Sequence, residues 1–64
     1  MPNCYYISPH AQEKMEERNF TKEEIDRAFW CGRKTSKGNT TEYVFRDLCV
    51  VIRDLTIITV LIAY

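Results

Sequence analysis

The rhythm of polar and apolar positions changes once along this chain, near residue 40. Before that point apolar residues recur at three- and four-residue intervals, Ala11 with Met15 and then Ile25, Ala28 and Phe29, which is the spacing of one helix face. After it they fall into runs of period two. Leu48, Val50 and Ile52 oppose Cys49 and Val51, and Ile58, Val60 and Ile62 oppose Ile57, Thr59, Leu61 and Ala63. The first rhythm predicts two helices. Ser8 offers an N-cap oxygen and Pro9 suits the first helical position, so one helix is expected over 9–18, ended by Asn19 in a left-handed turn. Thr21 and Glu24 frame a capping box for a second helix that reaches Cys31, with Phe20 stapled onto Ile25 and Gly32 stopping the helix.

The second rhythm predicts strands over 41–46, 48–54 and 56–63, with tight turns near Asp47 and at Asp54-Leu55. Such short connections make neighbouring strands antiparallel. Residues 4–7 read as a short apolar lead-in, at most an edge strand, and the polar, basic stretch 33–40 reads as a loop around Gly38-Asn39. The expected fold is one α+β domain over 1–64, with two N-terminal helices packed on a three- to four-stranded antiparallel meander sheet. The last two strands are apolar on both faces, and two short helices cover only one. The other face is expected to bury against a second copy or a protein partner, by sheet packing or by edge pairing.

With 64 residues the chain has little core to spare, so a disulfide, a metal or a partner would each add much to its stability. Cys4, Cys31 and Cys49 are odd in number and form no CxxC pair, which points to a reducing, cytoplasmic setting. With a single histidine and scattered cysteines, no metal and no cofactor are expected. The apolar end is far shorter than the ~20 residues of a spanning helix, and no signal-peptide pattern is visible, so no membrane role is expected. Nine basic residues balance nine acidic ones, which leaves no broad positive field for a polyanion.

The candidate chemistry lies on the first helix. At ~100° per residue, His10, Lys14 and Arg18 fall at about 0°, 40° and 80°, within a quarter turn of one another. His10 is the only side chain with an ordinary pKa near neutrality, about 6.5. Arg18 carries a planar fork suited to phosphate oxygens.

The order Ser8-x-His10-Ala11-x-x-Lys14-Met15-x-x-Arg18, followed by a capped second helix and strands ending in Ile57-Ile58-Thr59-Val60, resembles a family of small bacterial domains similar to the RelE-like ribonuclease toxins. That resemblance implies metal-independent RNA cleavage, with His10 moving protons, Arg18 clamping the phosphate and Thr59 donating to the same oxygens. Lys14, Arg33, Lys34 and Lys37 would hold the rest of an RNA or nucleotide backbone. The competing expectation is a non-enzymatic phage or mobile-element protein on the same scaffold, which sequesters a nucleotide or inhibits a host protein. Neutral charge, very small size and the two-faced strands favour it. The acids Glu13, Glu16, Glu17, Glu23, Glu24 and Asp26 crowd the outer helical surface, which is expected to repel nucleic acid. A third expectation is a remnant of the toxin fold with structural duties only.

Overall fold

A computed structural model describes residues 5–62. In chain order the elements are β1 (Tyr6–Ile7), α1 (Pro9–Glu17), α2 (Lys22–Cys31), β2 (Arg33–Lys37), β3 (Thr40–Phe45), β4 (Leu48–Arg53) and β5 (Thr56–Ile62). The strands form one five-stranded sheet in the order β1-β5-β4-β3-β2. The pairs β2–β3, β3–β4 and β4–β5 are antiparallel, whereas β1 runs parallel to β5 with Tyr6 beside Thr56.

This corrects the expected three- to four-stranded antiparallel meander in two places. Residues 33–37 form a strand although none of them is buried. They are held by the hairpin to β3, whose closing pair Lys37–Thr40 is joined by Gly38-Asn39, with Gly38 at φ +59°. The second correction is β1, for which the whole helical pair and the following strands serve as the crossover that a parallel neighbour requires. Cys4 and Ala63 lie outside the described residues, so the ends of the expected lead-in and last strand do too.

Both helices start as their local chemistry dictates. The Ser8 hydroxyl accepts from the Ala11 N–H at 3.1 Å, and Thr21 and Glu24 satisfy each other's backbone N–H groups in a complete capping box. Arg18 is the C-cap of α1 rather than its last helical residue, and Asn19 follows at φ +60°. Gly32 ends α2 as expected, at φ −79°. A Cβ there would stand 2.4 Å from the Ala28 carbonyl oxygen and 2.8 Å from that of Val44, and glycine lets the chain pass between helix and sheet.

One sheet face carries the core. Ala11 and Met15 of α1 and Ile25, Ala28 and Phe29 of α2 pack on Tyr43, Leu48, Val50, Ile52, Ile57 and Val60. Phe29 sits between Tyr5 and Tyr43 in two edge-on ring contacts, each 4.8 Å between centroids. The strict alternation expected of β5 is broken by a bulge. Val51 pairs with Thr59 and Ile52 with Ile57, leaving Ile58 as the extra residue. Ile57 and Val60 therefore share the core side, whereas the sequence pattern placed them on opposite sides.

Candidate functional site

The sheet separates the residues expected to act together. His10 is exposed in the first turn of α1, and α1 lies over β5 on the core side, where Ala11 and Met15 bury. Thr59 pairs with Val51, one position from the core pair Val60–Val50, so its hydroxyl belongs to the face with no helix. A sheet therefore stands between Thr59 and His10.

Within α1 the stripe is real in angle but long in reach. His10 and Arg18 are eight residues apart, or about 12 Å along the axis, more than one phosphate group spans. Lys14 lies between them, half-buried and 3.7 Å from the Glu17 carboxylate. The Arg18 Nε is buried and has no hydrogen-bond partner among the described residues, so part of its guanidinium faces protein rather than solvent. Ser8 anchors this helix start to β5 by its N–H to the Ile57 carbonyl at 3.1 Å.

The basic candidates beyond α1 also divide between the faces. Lys34 pairs with Tyr43, a core-side residue, while Arg33 pairs with Val44 and Lys37 with Thr40 on the bare side. Lys37 reaches Glu42 at 3.6 Å, an ion pair that lies across the bare face. Among the described residues, cavities open on the surface at two places. One, of about 430 Å³, lies between the start of α2 and the β3–β4 turn, with Phe20, Arg27, Phe45 and Arg46 among its walls. The other, of about 310 Å³, is bounded by Lys34, Asn39, Thr41, Tyr43, Arg53 and Leu55. His10, Arg18 and Thr59 line neither.

The feature with most continuity is the bare face itself. Register places Val44, Cys49 and Leu61 in one row and Glu42, Val51 and Thr59 in the next. Cys49 and Val51 are only 7% and 8% exposed although they lie on the face away from the helices. Leu61, at 43%, is the open apolar member of the row. Burial pushes the Cys49 thiol pKa up, and the Glu42 charge adds to this against an opposing effect of Lys37. The thiol is thus protonated and inert. Arg33 and Arg53 complete the rim and have no ion-pair partner among the described residues.

Among the described residues no cluster of histidine, cysteine and carboxylate side chains could hold a metal, and no helix is long and apolar enough to cross a membrane. Compared with protein-family models, with curated proteins and with solved structures, the chain finds no match in any of the three.

The bare face was legible in the alternation of β4. The half-buried pair of Tyr5 and Asp26 was not. The Tyr5 hydroxyl donates to the Asp26 carboxylate, and burial, that hydrogen bond and the Asp26 charge together raise the tyrosine pKa well above its ordinary value. Nothing local announces a contact across 21 residues.

Proposed function

We propose that this chain is a non-catalytic protein-binding module that engages a partner through the sheet face its helices leave bare. The observation that carries this is the two-sided character of β4, with Val50 and Ile52 in the core and Cys49 and Val51 on the uncovered side beside Val44 and Leu61. A strand that meets only water on one side alternates apolar with polar residues, and β4 does not. The rim of Arg33, Lys37 and Arg53 against Glu42 alone favours a partner whose contacting surface is apolar and edged with acids. Two copies face to face would bring like charges together. The reading includes a cytoplasmic setting, supported by the unpaired thiols of Cys31 and Cys49.

The test is a titration of the labelled chain with an amphipathic peptide bearing leucine on one side and glutamate on the other. Amide shifts at Val44, Cys49, Val51 and Leu61, lost in Leu61→Glu, are expected. A concentration-dependent dimer that Leu61→Glu dissociates would make the partner a second copy. Neither result would end the reading.

Metal-independent RNA cleavage is the second reading, favoured by one observation, the exposed His10 on the same α1 stripe as Lys14 and Arg18. In excess chelator, RNA nicking that His10→Ala abolishes would establish it over the binding module. Nicking unchanged by that substitution removes His10 from any mechanism.

A further inference from the structure

We infer that the free outer edge of β2 accepts an extended, acidic strand from the partner, adding a sixth strand to the sheet. This rests on the protein-binding reading and names a second contact within it. Arg33 and Lys37 belong both to the bare face and to this edge, so a partner seated on the first reaches the second.

β2 has the features of a receiving edge. It lies last in the sheet order, all five of its residues are exposed, and only β3 holds it. In a hairpin with a two-residue loop the pair flanking the turn is hydrogen-bonded, and bonding then alternates along the strand. Lys37, Thr35 and Arg33 therefore bond inward to β3, and the N–H and C=O groups of Lys34 and Ser36 point outward. Main-chain bonding of that kind supplies affinity in strand addition, and the flanking side chains supply selectivity.

The charges choose the occupant. Arg33 and Lys37 project on the bare-face side of β2 and Lys34 on the other, so an incoming strand meets cations on both sides. A second copy of β2 is the wrong guest. Antiparallel self-pairing centred on Thr35 sets Arg33 opposite Lys37 twice, and like charges directly opposite destabilise a pair. Glutamate or aspartate at those positions reverses the sign.

The experiment uses an eight-residue peptide alternating threonine with glutamate, a lysine-for-glutamate control and a 12-nucleotide oligouridylate, each at millimolar concentration, with amide hydrogen exchange as the readout. The glutamate peptide should slow exchange at Lys34 and Ser36 at least fivefold and leave the inward-bonded Thr35 unchanged. Ser36→Pro removes only an outward N–H, which edge strands tolerate. It should weaken the peptide at least fivefold without moving the melting temperature. The double variant Arg33→Glu/Lys37→Glu should exchange the preference to the lysine peptide. Equal protection by both peptides, full binding by Ser36→Pro, stronger effects from the RNA, or a dimer broken by Ser36→Pro would each overturn the inference. Shifts confined to Val44, Cys49 and Leu61 would overturn the edge contact alone and leave the protein-binding reading standing.

Discussion

β4 and β2 belong to one sheet, two positions apart, and are held in place by different means. β4 has five of its six residues buried and sits between two strands, while β2 buries none and touches one. The first is stabilised by what its side chains displace from water, the second by the turn and ladder that return the chain along β3. Substitution should separate them sharply. Leu48→Ala, a large-to-small change at a buried β4 position, should cost about 2–5 kcal/mol in urea unfolding. Lys34→Ala in β2 should stay within about 0.5 kcal/mol. Equal costs would mean that β2 is part of the packed structure after all.

The junction that leads into β2 should be less forgiving than the strand itself. Gly32→Ala pushes a methyl carbon onto two backbone oxygens that cannot swing away, and should cost about 1–3 kcal/mol. A neutral result would show that α2 can slide from β3. Two of the three hairpin turns sharpen the comparison further. The β2–β3 turn places glycine at its positive φ, whereas the β4–β5 turn holds Asp54 at +50° and Leu55 at +62°. Leu55→Gly should stabilise the chain by about 0.5–1 kcal/mol, because the residue it removes is strained in that region. The same measurement checks it.

The smallest effect concerns the core side and pH. The Tyr5 pKa is raised in the folded chain, so its contribution is complete below the ordinary tyrosine value of about 10 and is lost as pH climbs through the raised one. By pH 11 the loss should be at most about 1 kcal/mol, and Tyr5→Phe should flatten that part of the profile. A profile identical in both proteins would dissociate Tyr5 from alkaline stability.

Local chemistry made the helices readable. Ser8, Thr21 with Glu24, and Asn19 act within four residues of themselves, and each lies where its own chemistry predicts. Strands β3 to β5 were readable because burial imprints a period of two. β2 carries no such imprint, since a strand exposed on both sides has the composition of a loop. β1 was read as a possible edge strand, but its parallel direction was not legible, because its partner lies 50 residues away. In the candidate site, alternation set Thr59 opposite Val60 but did not say which of the two faces the helices cover. The bulge at Ile58 brings only the start of β5, with Ile57, round to the core side. Angle along α1 was correct while distance was neglected, which is how His10 and Arg18 came to be grouped.

The pairing of Tyr6 with Thr56 has a consequence for how the molecule comes into being. β1 is made 50 residues before the strand it pairs with, so the helices and β2 to β4 are all synthesised before that ladder can close. Closing it late, across so long a separation, makes the β1–β5 pairing a slow, non-local step of folding.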